Sequence, residues 1–441
     1  MALSDYSLVM VGCPPFAGMM QRHQQLARRL AKHLPVYYCE ETPSVAAIYL
    51  KKIGNPADLQ GHKKGIVEEA PNLFTYKAPP GMPTFLNFTK ANAANMKRTA
   101  ETLDAALTAK GVTKRILWLG HPRAIEVADH LPHDLLIYDC YDAFGEFEEE
   151  ARQAEQVKQL EERTIKEADL VFATARNLFK KCVAVNPHSY LVPNGADVAH
   201  FSQEHPPKSK KDYGVDIEAL KAKGRVVGYI GDMGEWFDHM LLISTAQLNP
   251  KISFVFIGPI NKKIESLTNL RNTHFTGRVD YQDLPWFLQH FDACIIPFLN
   301  TPVTENLNPI KLYEYFATGK PVVTTDFPEI RDFEGLLAIG NNGRAFYTKL
   351  EMELNLSGNT PQKAHVIEKR KEIAALNSWE ARVAQITDLF EHALAKDFPA
   401  VDPAWSGRPG ALAAQWRNLA PAVPAVAVVV AHDHDHDDHH H

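Results

Sequence analysis

The chain has 441 residues, enough for two or three domains at roughly 100–200 residues each. Hydrophobic residues make up 45% and charged residues 23%, the balance of a globular protein able to bury full cores without staples. A net charge of −6 speaks against nucleic acid as a partner, and the basic runs around Lys210 and Lys262 read as solvated faces.

Five cysteines (Cys13, Cys39, Cys140, Cys182 and Cys294) are an odd number with no CxxC pair. They read as small buried hydrophobes in a reducing compartment, and neither a zinc site nor a disulfide framework is expected. The apolar run Ser7 to Val11 lacks the basic flank and cleavage site of a signal peptide. No stretch reaches the ~18 apolar residues of a membrane span. A cytoplasmic protein is expected, with contact at the inner membrane surface left open.

Along the chain, short β-rich runs alternate with amphipathic stretches. Leu8 to Gly12 is followed by a helical segment from Met19 to Leu34, then by the strand Val36 to Cys39. Arg115 to Gly120, Leu135 to Cys140, Leu170 to Thr174 and Tyr190 to Pro193 continue the series. Many of these runs are apolar throughout, as parallel strands buried on both faces must be. Residues 202–224 are polar and rich in Lys and Pro, and read as a linker. Arg225 to Gly231, Ser253 to Gly258, His274 to Gly277, Ala293 to Phe298 and Val322 to Thr325 then restart the pattern, with helices expected at about 236–248, 281–291 and 309–318. The fold class is therefore α/β, with two doubly wound Rossmann-like units facing a cleft, where ligands bind outside the carboxyl ends of the strands. Residues 378–395 form an amphipathic helix capped by Ser378. From 396 to 441 the chain is rich in Pro and Ala and then in His and Asp, and reads as a disordered tail outside any mechanism.

The segment Asn308 to Pro321 carries the strongest chemical signal. Asn308 is a good N-cap and Pro309 a good first helical residue, while Gly319 and Pro321 end the helix. The first-turn N–H groups of Ile310, Lys311 and Leu312 then form an anion site suited to a diphosphate, to which Lys311 adds charge. Glu314 lies about 9 Å along the axis from the cap, within reach of ribose hydroxyls. A purely structural capped helix with a hydrogen-bonded Glu314 is the bland alternative.

In this context the run Pro309 to Val323 (PIKLYEYFATGKPVV) resembles the donor-site signature of GT-B glycosyltransferases, in the family-four-like branch with bacterial cell-surface polysaccharide members. Other stretches resemble the same family in order: Arg22 to Ala27, Tyr138 to Asp142, Val192 to Asp197, Gly228 to Gly231 and Glu235 to Asp238. The resemblance covers residues 5–395. It implies an acceptor-side domain at 1–200 joined by the crossing helix 378–395, and a donor domain at 201–377. It also implies a nucleoside diphosphate sugar donor, a glycan or lipid-linked acceptor, retention of anomeric configuration, and no cofactor or bound metal.

Two positions depart from the family pattern. Asn306 stands where a sugar-holding glutamate is often found, with Glu305 one residue early. The turn Gly231 to Trp236 lacks the usual Arg and Lys for the pyrophosphate, so Arg278 and Lys311 are the substitutes.

On the other side of the cleft, Gly12 to Gly18 is a Gly/Pro loop whose backbone can approach a phosphate or sugar, without a GxGxxG pattern. Arg22 either reaches the pyrophosphate or solvates its helix. His121, after the strand ending at Gly120, resembles a histidine that relatives place beside the transferring sugar; a capping role before Pro122 is the alternative. Asp142 competes with His121 as general base. Two rival functions share the fold: an epimerase or hydrolase that turns over the donor without acceptor, and a non-catalytic module that binds glycan or a protein partner.

Overall fold

The computed structural model describes residues 1–40, 65–77, 89–147, 151–355 and 360–401. The first sheet has eight strands: β1 (Ser7–Cys13), β2 (Val36–Glu40), β3 (Gly65–Ala70), β4 (Leu73–Lys77), β5 (Arg115–Leu119), β6 (Leu135–Cys140), β7 (Leu170–Ala173) and β8 (Ser189–Leu191). Their order is β3-β4-β2-β1-β5-β6-β7-β8, parallel except for the β3–β4 hairpin at the edge. The longer helices of the same half are α1 (Arg22–Leu30), α2 (Thr89–Ala109), α3 (Ala151–Glu167) and α4 (Arg176–Val185).

Alternate residues of each central strand feed opposite cores, as a two-residue repeat requires. Val9, Val11, Leu117 and Leu119 face α2, α3 and α4, whereas Leu8, Met10, Ile116 and Trp118 face α1. This is why these strands are apolar throughout.

The second sheet comprises β9 (Val226–Ile230), β10 (Ser253–Ile257), β11 (Thr273–Gly277), β12 (Ala293–Ile296), β13 (Val322–Thr324) and β14 (Ala338–Ile339). Its order β11-β10-β9-β12-β13-β14 is entirely parallel and is the order of a nucleotide-binding doubly wound sheet. The helices that matter below are α5 (His239–Leu248), α6 (Ile310–Ala317), α7 (Pro361–Leu376) and α8 (Trp379–Ala395).

The chain crosses between the sheets twice, and the two crossings lie side by side. Ala196 N donates to Asn377 O at 3.0 Å, and Trp379 N donates to Ala196 O at 3.1 Å. Arg382, buried on α8, binds both crossings: its Nε donates to Pro193 O at 2.9 Å and Asn194 O at 3.2 Å, and its guanidinium reaches Asn377 Oδ1. Ser378 caps α8, its Oγ accepting from Ala381 N at 3.1 Å. Trp379, Ile386 and Phe390 then sink into the core of the first sheet, so α8 returns to the half where the chain began.

Two sequence expectations change here. Part of the linker 202–224 is structured. Asp283 holds it by accepting from Lys208 N at 2.8 Å, Ser209 N at 3.0 Å and Tyr213 Oη at 2.7 Å, and residues Ile217–Lys223 form a helix capped by Asp216. The tail does not begin at 396: Phe398 stacks on His188 with ring centroids 3.7 Å apart, and Tyr190 Oη donates to Pro399 O at 2.9 Å. Residues 402–441, with the His/Asp tract, lie outside the described residues.

Candidate functional site

Each sheet reverses its strand order at its first strand: β1 lies between β2 and β5, and β9 between β10 and β12. The crevices at these two points face each other across a cavity of about 830 Å³. One wall comes from residues 17–23, Tyr141, Asp142 and Phe147; the other from Ile230 to Asp232, Trp236, Arg278 to Gln282, Phe298 and the start of α6.

The start of α6 differs by one residue from expectation. Pro309 is the N-cap, with extended backbone (φ −76°, ψ 121°), and Ile310 is the first helical residue. Asn308 does not cap the helix because its side chain is used elsewhere: Oδ1 accepts from Asn194 N at 3.0 Å, and Nδ2 donates to Tyr313 Oη at 3.0 Å and Glu329 Oε2 at 3.3 Å. Leu312 N donates to Pro309 O at 3.3 Å, which leaves the N–H groups of Ile310 and Lys311 for an anion. Asn308, Pro309, Ile310, Lys311 and Glu314 all line the cavity.

Lys311 and Glu314 are one helical turn apart, and among the described residues neither forms a hydrogen bond or ion pair. The Lys311 ammonium instead lies over Tyr229 and Phe298, 5.7 and 5.5 Å from the ring centroids. Burial pushes the Glu314 carboxyl above the usual carboxylate range despite Lys311, and pushes Lys311 below the usual amine range despite Glu314. Two ionisable groups on one cavity wall, with no hydrogen bond or ion pair to either, mark a candidate ligand site. Gly231, at φ +154°, leaves the space that Lys311 occupies. Arg278 stands exposed on the rim, and its guanidinium has no protein acceptor among the described residues.

On the opposite wall, Arg22 is committed to the protein. Its Nε and Nη2 grip Asp139 at 2.9 Å each, and Nη1 reaches Pro193 O at 3.2 Å and Asn194 Oδ1 at 3.3 Å. Burial works against the Asp139 carboxylate, but Arg22 and His23 outweigh it and hold its pKa below the usual value. Arg22 therefore touches the cavity while its charge is neutralised, which removes the expectation that it pairs with a pyrophosphate. Asp142 lines the cavity, accepts no hydrogen bond from the described residues, and is pushed up to about 7 by burial.

His121 does not line the cavity. Its Nδ1 accepts from Arg123 N at 3.1 Å, so it caps the turn Pro122–Ala124, and burial with Arg123 lowers its pKa to about 3. With Nδ1 an acceptor, the neutral ring carries its proton on Nε2 and is a donor there. Gly18 lines the cavity, but Gly12 does not: a Cβ on Gly12 would stand 3.0 Å from Ala124 Cβ, so this glycine serves the packing of β1 against the turn after β5. Asn306 and Glu305 also lie off the cavity wall; Asn306 Nδ2 turns to Pro302 O at 2.7 Å.

Several contributors were not singled out individually by the sequence. Gln25 Nε2 donates across the cleft to Tyr281 Oη at 2.8 Å. Tyr229 and Phe298 cradle Lys311, but in sequence they are ordinary strand and loop aromatics. Glu329 reads as a polar loop residue, yet it is 1% exposed and accepts from Arg176 N at 2.8 Å. Among the described residues no group of three or more His, Cys, Asp or Glu is placed to hold a metal.

Solved structures share this fold. Sucrose-phosphate synthase from Thermosynechococcus elongatus superposes with a TM-score of 0.66 at 16% identity, covering 88% of this chain and 99% of that one. HepE from Anabaena, in complex with UDP-glucose, gives a TM-score of 0.58 at 15% identity, covering 88% and 99%. The fold is GT-B. Residues 224–355, the second GT-B sheet with its helices, match the family Glycosyl transferases group 1. A Bacillus subtilis (strain 168) protein described as a teichuronic acid biosynthesis glycosyltransferase, TuaH, is 26% identical over 248 residues, 53% of this chain. The match spans 60% of the length of that relative. No helix among the described residues is long and apolar enough to cross a membrane.

Proposed function

We propose that this chain is a glycosyltransferase that moves a sugar from a nucleoside diphosphate sugar to an acceptor hydroxyl in cell-surface polysaccharide or glycolipid synthesis. The observation that carries this is the pair Lys311, half-buried over Tyr229 and Phe298, and Glu314, buried without a hydrogen bond or ion pair, beside the two free N–H groups at the start of α6. The diphosphate sits at that helix start, held by the Ile310 and Lys311 N–H groups, the Lys311 ammonium and Arg278. The ribose hydroxyls donate to Glu314. The likeness to TuaH and to a UDP-glucose-bound GT-B protein supports a uridine nucleotide and an envelope polysaccharide.

In the transfer, the bond between the anomeric carbon and the diphosphate oxygen breaks, and the acceptor oxygen bonds to that carbon. Negative charge grows on the leaving diphosphate, where the helix start and Lys311 stabilise it; this removes the need for a bound metal ion. Asp142 faces the same cavity from the other half and, as its carboxylate, takes the proton of the acceptor hydroxyl as the new bond forms. His121 supports the turn behind Asp142's half of the cleft. Retention of configuration follows from the family resemblance, and the anomeric signal of the product in proton NMR tests it. The acceptor is a glycan or a lipid-linked glycan met at the inner membrane surface.

The deciding experiment titrates UDP, GDP and dTDP and their sugars into the protein, then screens donor turnover with and without glycan acceptors. Binding of one nucleotide class that Glu314→Ala abolishes, with turnover dependent on acceptor, supports the proposal. No binding by wild type removes it. Equal turnover without acceptor makes the chain a donor hydrolase.

A further inference from the structure

A chain of buried polar contacts runs through the start of α6 and ends in the first half on both sides. On one side Asp139, at the end of β6, binds Arg22, which binds Asn194 Oδ1. Asn194 then pairs reciprocally with Asn308: its N donates to Oδ1 at 3.0 Å and its Nδ2 donates to Asn308 O at 2.7 Å. On the other side Asn308 Nδ2 donates to Glu329 Oε2, and Glu329 Oε1 accepts at 2.8 Å from Arg176 N, at the start of α4. The Arg176 guanidinium also reaches Asp332 and stands 3.7 Å from Glu329. Asp139 and Arg176 come from the ends of neighbouring strands, since β6 pairs with β7 and α4 follows β7. Asn308, Asp139 and Glu329 are 2%, 0% and 1% exposed, so water does not compete for these bonds.

We infer that Glu329 and Arg176 are positioning residues that hold Asn308, and with it the anion-binding start of α6, in register with the first half of the molecule. This deepens the proposed donor site and rests on it. The chemistry of the link is specific. A carboxylate at 329 accepts from Arg176 N with one oxygen and from Asn308 Nδ2 with the other. An amide there accepts with one atom only, and its NH₂ must face one of the two donors. Every group proposed to hold the donor (Lys311, Glu314, Arg278) lies on the second half, whereas Asp142 lies on the first. Donor binding needs the second half alone; transfer needs the two halves in register.

The test compares wild type with Glu329→Gln and Arg176→Met. Hydrogen exchange is followed across residues 303–316, UDP affinity is measured by calorimetry, and donor KM and kcat come from steady-state transfer. The positioning role gives about fivefold or faster exchange at the start of α6 in both variants, UDP affinity within about threefold of wild type, and kcat lower by about tenfold or more. Arg176→Met keeps the backbone N–H that binds Glu329 and removes the guanidinium that pairs with Glu329 and Asp332, so it has the smaller effect of the two, and the double variant falls no further than Glu329→Gln alone. Unchanged exchange at 303–316 overturns the inference whether or not the protein binds UDP. Loss of kcat and of UDP affinity in the same proportion, with general loss of protection, makes these residues merely structural and also overturns it. Absence of UDP binding by wild type counts against the donor site itself, and the exchange comparison still decides the positioning role.

Discussion

Lys311 occupies the space that a side chain on Gly231 would need: a β-carbon there would stand 2.6 Å from Lys311 Cε and 2.9 Å from its Nζ. The backbone of residue 231, at φ +154°, is also one that residues with side chains rarely adopt. Gly231→Ala therefore expels the ammonium from its place over Tyr229 and Phe298. UDP affinity is expected to fall by about tenfold or more, with backbone strain of about 1–3 kcal/mol appearing as a lower thermal midpoint. Calorimetric titration decides this; an unchanged dissociation constant removes Lys311 from the donor site.

Glu314→Gln keeps the shape of the wall and removes a charged acceptor. Hydrogen bonds to charged groups contribute about 1.5–3 kcal/mol, so nucleoside diphosphate affinity should weaken roughly 10- to 100-fold. The same substitution should leave a nucleotide lacking the ribose 2′-hydroxyl less affected than the ribonucleotide. Equal losses for both show that Glu314 does not touch the ribose.

Burial raises the Asp142 carboxyl to about 7, which sets two pH dependences. Transfer at saturating donor should rise with pH through about 7 as the group ionises, and Asp142→Asn should flatten the profile and lower kcat by about 100-fold or more. Stability follows the opposite course. The folded pKa lies above the unfolded one, so the unfolded state binds fewer protons between the two values, and wild type loses stability as pH rises from about 4 to about 7. Thermal midpoints at pH 5 and pH 8 should show Asp142→Asn gaining on wild type at the higher pH. A constant difference between the two proteins refutes the assignment.

Arg382 serves both crossings between the halves, and no carboxylate pairs with it among the described residues. Burial lowers its pKa to about 10, and its ligands are Pro193 O, Asn194 O and the side chain of Asn377. Arg382→Met strands these acceptors in a dry site, at a cost of roughly 2–4 kcal/mol. Denaturant unfolding should show that loss, together with faster amide exchange at Ala196 and Trp379. A midpoint equal to wild type shows that the crossings hold without it.

The central strands of both sheets were legible because each feeds two cores and so is apolar along its whole length. The edges were not: in the hairpin β3–β4 Glu68 and Glu69 are exposed, and β14 at the edge of the second sheet is only two residues long. The α6 segment was legible through Pro309 and Gly319, but its cap was placed one residue early. Asn308 has the right chemistry for a cap and spends it on Asn194 and Glu329. Arg22 was misjudged for the same reason, since its partner Asp139 is 117 residues away in the chain. Local rules read a side chain against its neighbours in sequence. They are silent on partners that only the assembled halves bring together.

The return of α8 to the first sheet orders events during synthesis. Trp379, Ile386 and Phe390 fill a core whose other members, Leu8, Trp118 and Phe172 among them, leave the ribosome long before them. That face of the first lobe stays unsealed until α8 has been made. The emerging chain must therefore carry an open apolar surface through the synthesis of the entire second lobe, a period in which a chaperone or the second lobe itself has to keep it from other chains.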